Sequence, residues 1–288
     1  MTKELFSRNT LYWGDDKQQE LLQKHVAVFG LGGVGGFCAE ALARAGVGNL
    51  TIIDFDTVSE SNINRQIIAL NSTIGQSKTD LFEKRLKDIN PEINITIIDD
   101  FWHDTSSLDK ENAPTFGAEG TASLDKESVT TFVAEGTASL DKGRGTTLVV
   151  EGLDFVADAI DTMRSKIYLL KSCYENDIPV ISSMGAGNRI DPTQLYIADL
   201  KNVENRNAPF VSNVIYQLKK LGITEGIPFV CSREIPRVQR KIIEKEEIYT
   251  NSGKKIEFNK IVPSSTPFVA SCSGIFMASY IVRKLIEV

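Results

Sequence analysis

The segment His25-Val26-Ala27-Val28-Phe29-Gly30-Leu31-Gly32-Gly33-Val34-Gly35 constrains this chain more than any other. A short apolar run passes without a spacer into four glycines, and apolar residues then recur at helical spacing from Val34 to Ala45, stopping at Gly46. Leu50 to Asp54 reads as a second strand. Strand, tight turn, helix and strand make a βαβ unit, which requires a parallel sheet covered by helices. Backbone N–H groups at the start of a helix, together with the helix dipole, attract an anion, so Gly30, Gly32, Gly33 and Gly35 read as a phosphate turn. Asp54 follows Gly32 by 22 residues and ends the second strand, where a carboxylate can accept a hydrogen bond from a ribose hydroxyl. The turn thus predicts nucleotide binding, without choosing between NAD and ATP.

The rest of the chain continues the rhythm. Ser77 to Asn90 reads as an amphipathic helix stopped by Pro91, 94–99 as a strand, and FVADAID (155–161) as another. Thr162 is placed to cap a helix leading to the strand at 178–183. From about residue 194 the parallel rhythm weakens, through QLYIADL, a helix near 207–221 and PFVCSRE. The fold class predicted is α/β, a Rossmann-like, doubly wound, mostly parallel sheet with a smaller α+β C-terminal part.

Between Ser107 and Asp154 the pattern breaks into three tandem units starting at Ser107, Ser123 and Ser139, sixteen residues apart. They are small, polar and rich in Thr, Gly and Ala, and form a low-complexity insertion at 107–152. Nine acids against four bases there account for five of the six net negative charges. The remainder is nearly neutral, so the acidic balance does not exclude a nucleic-acid partner.

Several classes are disfavoured. Pro263 to Val282, the best membrane-span candidate, is broken by prolines and serines and reads as a core helix. The start MTKELFSRNT lacks a secretory apolar run, so the expected location is cytoplasmic, with at most peripheral membrane contact. Cys38, Cys173, Cys231 and Cys272 form no C-x-x-C pair, and His25 and His103 are too few for a histidine metal site or triad.

What separates NAD from ATP lies downstream. Hydride transfer leaves phosphate bonds intact, whereas adenylation builds charge on the α-phosphate and the departing pyrophosphate. That chemistry needs an arginine fork, an ammonium and a metal-holding carboxylate. Arg65, Lys78 and Asp161 supply one of each; taken singly, each also fits a solvated charge or a structural ion pair.

The segments GLGGVGGFCAEALARAGVGNLTIIDFDTVSESNINRQ, GQSKTDLFEKRLKDINPEI and FVADAIDT resemble the adenylation (ThiF-like) domain of the ubiquitin-activating-enzyme-like superfamily. PVISSMGAGNRIDPTQLYIADL and the FSRN start are similar to the tRNA threonylcarbamoyladenosine dehydratase family. The resemblance covers 5–106 and 155–288 and implies a single adenylation domain over 1–288, with 200–262 contacting the substrate. It implies that the four glycines hold the phosphates, that Asp54 holds the ribose, and that Asn62, Arg65, Gln66 and Lys78 contact the triphosphate. Asp161 would hold magnesium, Asp56 would be the family's second acid, and Arg8 would be lent across a homodimer interface. The implied reaction is ATP-dependent: adenylation of the threonylcarbamoyl carboxylate on tRNA, then closure to a cyclic form with release of AMP. Adenylation of the C-terminal carboxylate of a sulfur-carrier protein is the alternative, and a cysteine desulfurase or sulfur-carrier system is a further implied partner. Eight bases against five acids over 233–260 could track a tRNA backbone or form an ordinary charged hairpin. An NAD-dependent oxidoreductase and a non-catalytic interaction protein are the readings from other classes.

Overall fold

The computed structural model describes residues 4–99, 152–204, 208–237 and 263–288, and the backbone of two strands at 242–249 and 255–262. Of the 107–152 repeats only Gly152 is among them.

The chain divides into two compact units. One comprises Met1–Trp102, Gly152–Arg237 and Ser264–Val288; the other includes Val238–Pro263. The first begins with helices α1 (Ser7–Trp13) and α2 (Asp15–Leu21). The unit read from the glycine turn follows: β1 (His25–Phe29), α3 (Gly35–Ala45) and β2 (Asn49–Ile53). Gly46, at φ 94°, ends α3 in the left-handed region, where glycine carries no Cβ penalty. Helix α4 (Lys78–Ile89) starts at Ser77, whose side chain accepts the Asp80 amide, and leads to β3 (Asn94–Ile98). Beyond the repeats come β4 (Phe155–Asp158), α5 (Met163–Glu175), β5 (Val180–Ser183) and β6 (Leu195–Asp199). The unit closes with α6 (Pro209–Lys220), β7 (Pro228–Ser232) and α7 (Pro267–Leu285).

The seven strands lie in the order β3-β2-β1-β4-β5-β7-β6. All neighbours pair in parallel except β6, which runs antiparallel to β7 at the edge. That antiparallel pair is the physical form of the weakened rhythm after residue 194. Central strands β1, β4 and β5 are almost wholly buried, as a sheet covered on both faces requires.

Two expectations are corrected. The strand read over 155–161 stops at Asp158, because Asp158 turns its carboxylate back to accept the Ile160 amide at 3.1 Å and so closes a turn. Thr162 occupies the N-cap of α5 but makes no capping hydrogen bond; its hydroxyl lies 3.5 Å from Asp161 Oδ1 instead.

Helix α7, at 19 residues, is long and apolar enough to cross a membrane by length and composition, and half of its most apolar stretch is buried. It packs along α3, close enough that a Cβ on Gly274 would meet the carbonyl oxygen of Val34. A core helix accounts for that packing.

The second unit holds an antiparallel hairpin, β8 (Ile242–Tyr249) and β9 (Lys255–Val262), paired from Ile242↔Val262 to Tyr249↔Lys255.

Candidate functional site

The glycine turn leaves β1 through Gly30, at φ 85°, whose amide donates to the Ile53 carbonyl at 2.8 Å. The next amide, Leu31, donates to Asp54 Oδ2 at 2.6 Å, and the Asp56 amide donates to Asp54 Oδ1 at 2.8 Å. Asp54 therefore braces the turn from the end of β2. The amides of Gly32, Gly33, Val34 and Gly35 find no acceptor among the described residues, and four such donors at a helix start form an anion cradle. Glycine at position 35 is dictated by packing, since a Cβ there would collide with the carbonyl oxygen of Gly30.

Lys78 enters from the first turn of α4. Its Nζ stands 2.6 Å from Asp56 Oδ2 and 3.8 Å from Asp54 Oδ1, on a side chain 4% exposed. Burial pushes the Asp54 carboxyl above its ordinary value; the Lys78 ammonium, chiefly, and the two backbone amides oppose that rise.

Arg65 reaches the turn from the other side. A Cβ on Gly33 would meet Arg65 Cγ at 3.2 Å, so the arginine stem lies against the cradle. Its Nη1 donates to Ser61 O at 2.8 Å and Asn64 Oδ1 at 3.0 Å. Burial lowers its pKa, and the Asp161 carboxylate opposes the shift, so these two groups sense each other's charge without closing an ion pair within 4.0 Å. Asn62 is buried and accepts the Ser59 amide at 3.2 Å, which shapes the loop that carries Arg65. Gln66 is buried over Gly32, and its Oε1 has no hydrogen-bond partner. An orphaned acceptor beside a cradle of free amides fits a ligand with both donors and phosphate oxygens.

The fold thus brings Gly30, Gly32, Gly33, Gly35, Asp54, Asp56, Asn62, Arg65, Gln66 and Lys78 together beyond the carboxyl ends of β1 and β2, with Asp161 across from Arg65. Arg8 stands exposed on α1, which packs chiefly against α2. Asp161 is exposed, and no group of three or more metal-binding side chains occurs among the described residues. One carboxylate suits magnesium, which takes one or two carboxylates and completes its shell with phosphate and water.

Sequence reading assigned no role to Asp158, Lys166 and Ser182, which meet with no solvent exposure directly beneath the Asp161 turn. The available signal was an aspartate ending an otherwise apolar strand.

A parallel α/β sheet whose first turn offers unpaired amides, braced by an acid and flanked by a buried lysine and an arginine, defines a Rossmann-type nucleotide-binding protein. The chain belongs to the ThiF family, whose model matches residues 6–206. It is 38% identical to the tRNA threonylcarbamoyladenosine dehydratase of Bacillus subtilis, over 98% of this chain and 94% of that one. A crystal structure of E. coli tRNA N6-threonylcarbamoyladenosine dehydratase in complex with ATP is 26% identical, with a TM-score of 0.71 covering 99% of this chain and 94% of that one. The molybdopterin-synthase adenylyltransferase of Escherichia coli is 48% identical, over 28% of this chain and 32% of its own length.

Proposed function

We propose that this chain is an ATP-dependent, ligase-type enzyme that adenylates the carboxylate of threonylcarbamoyladenosine in tRNA and closes it to the cyclic form with release of AMP. The observation that carries the reading is that Arg65 lies against the glycine turn at Gly33 while the Lys78 ammonium stands beside Asp54, the acid that braces the same turn. Hydride transfer has no use for that arrangement. Likeness to the Bacillus subtilis dehydratase along nearly the whole chain supports the choice of substrate.

ATP supplies an α-phosphorus for attack and pyrophosphate as leaving group. The free amides of Gly32 to Gly35 bind phosphate oxygens, Asp54 orients the ribose while bracing the turn, and Gln66 Oε1 gains the donor it lacks. Arg65 and Lys78 stabilise charge as the bond between the α-phosphorus and the bridging oxygen breaks. A nucleophile of the threonylcarbamoyl group itself then attacks the activated carbonyl carbon, and AMP leaves with the former carboxylate oxygen. No enzyme thiol is required, which suits Cys38, Cys173 and Cys231, each buried with its pKa pushed upward by desolvation. Asp161 would hold magnesium beside the phosphates. A homodimer is part of the proposal, supported by exposed Leu5, Leu11 and Tyr12 around Arg8, and so are a cytoplasmic location and tRNA contact by the 200–262 segment.

Incubation with ATP labelled at the α-phosphate and tRNA bearing threonylcarbamoyladenosine tests the reading: labelled AMP should appear with that tRNA. Release only with a carrier protein ending in Gly-Gly would replace the reading with sulfur-carrier adenylation, and release with neither would reject both.

A further inference from the structure

We infer that Lys166, Asp158 and Ser182 form a buried positioning triad that sets the turn carrying Asp161, an inference resting on the role proposed for Asp161. Lys166 Nζ donates to Asp158 Oδ2 at 2.6 Å and to Ser182 Oγ at 3.0 Å, and the Ser182 hydroxyl donates to the same Oδ2 at 2.7 Å. The Lys166 and Asp158 side chains are 0% exposed, and the three residues come from α5, β4 and β5. Asp158, at the end of β4, is thereby held from two other elements at once, α5 and β5. Its remaining oxygen, Oδ1, accepts the Ile160 amide at 3.1 Å, one residue before Asp161.

On its other side the turn touches the cradle. The Ala159 amide donates to the Phe29 carbonyl at 2.9 Å, and a Cβ on Gly30 would meet the Ala159 carbonyl oxygen at 3.0 Å. Residues 159–161 are wedged between a locked carboxylate below and the phosphate turn beside them. Stability alone is a weak reason for such a cluster, because a buried ion pair replaced by apolar groups of similar volume often costs nothing. What the triad supplies is orientation: a fixed Asp158 fixes the Ile160 amide, and with it the direction from which Asp161 faces Arg65. These are positioning residues, since none faces the cradle.

The test compares Ser182→Ala, and the charge-neutral double variant Asp158→Asn with Lys166→Met, against wild type and Asp161→Ala. In nucleotide-free protein the Ile160 amide should exchange with solvent faster, by about tenfold or more, as its acceptor loses its support. Turnover should fall roughly 10–100-fold, the usual effect of removing outer-shell support, with a higher magnesium requirement. KM for ATP should stay within about twofold, because the cradle is untouched. Ser182→Thr, which keeps the hydroxyl, should recover both readouts. Variants that merely melt lower, with wild-type exchange at Ile160 and wild-type turnover well below their melting temperatures, would reduce the triad to packing and overturn the inference. If Asp161→Ala is impaired while the triad variants are not, the inference fails by itself. If Asp161→Ala leaves turnover and magnesium dependence unchanged, the role proposed for Asp161 fails first and the inference falls with it.

Discussion

Lys78 Nζ lies 2.6 Å from Asp56 Oδ2, yet the lysine side chain is 4% exposed and the aspartate side chain 49% exposed. The pair has a dry end and a wet end. The ammonium is held at the rim of the cradle by a carboxylate that water can still reach, while Asp54 braces the turn behind it. A phosphate entering from solvent can therefore share the ammonium without stranding Asp56, which solvent or a metal ion can rehydrate.

Lys78→Met should lower turnover by about 10²-fold or more, the scale of one lost transition-state donor. It should also cost about 2–3 kcal/mol of stability, short of the full cost of an uncompensated buried charge because two amides still bond Asp54. Adding Asp54→Asn should restore none of the turnover and cost further stability, because an amide side chain can accept only one of the two backbone N–H groups that Asp54 now holds. A single variant that melts like wild type would show that Asp54 does not depend on the lysine.

Arg65→Ala and Asp161→Ala should keep the fold and lose turnover. Arg65 donates only to an exposed backbone carbonyl and a neighbouring asparagine, and Asp161 is exposed, so stability should change by no more than about 0.5 kcal/mol. Turnover should fall roughly 10²–10³-fold in each. Wild-type rates in either variant would mean that the arginine or the carboxylate does not act on the phosphates.

Two glycines in one turn should behave oppositely. A methyl at Gly35 collides with the Gly30 carbonyl oxygen, so Gly35→Ala should destabilise by about 3 kcal/mol. At Gly32 the nearest atom to an added Cβ is Gln66 Nε2, at 3.7 Å. Gly32→Ala should melt near wild type and bind ATP weakly, because its methyl occupies the approach of phosphate oxygens. Calorimetric ATP titration beside thermal melts separates the two effects, and equal loss of stability in both would contradict the geometry.

His25 should make stability pH-dependent. Burial lowers its pKa below the ordinary 6.5, opposed by the Asp154 carboxylate and a backbone hydrogen bond at Gly152, and its Nε2 lies 2.8 Å from Thr51 Oγ1. Below 6.5 the unfolded chain takes up a proton that the folded chain resists, so stability falls as pH drops from 6.5 toward the lowered folded value. His25→Asn should flatten that part of a denaturant-derived stability profile. An unchanged slope would assign the dependence to other groups.

Much of the fold and half of the site were legible because they are written locally. A strand entering four glycines, a helix stopped at Gly46 and an acid ending the next strand depend on neighbours within one or two turns of chain. The limits of α4, with Ser77 as its cap, could be read for the same reason. Arg65 was recognisable as a charge suited to phosphate, but not as a side chain lying on Gly33. Lys78 was recognisable as an ammonium, though not as one buried between two aspartates.

By itself the sequence determined which backbone segments could be strand, turn and helix, and which residues carried phosphate-compatible chemistry, since backbone sterics, capping and apolar periodicity act at short range. Only the tertiary structure decided which charges are buried and what they face. Asp158 and Lys166 look like ordinary surface ions until β5 delivers Ser182 and removes the water. Desolvation by distant elements sets the meaning of a charge, and no local pattern in the chain encodes it.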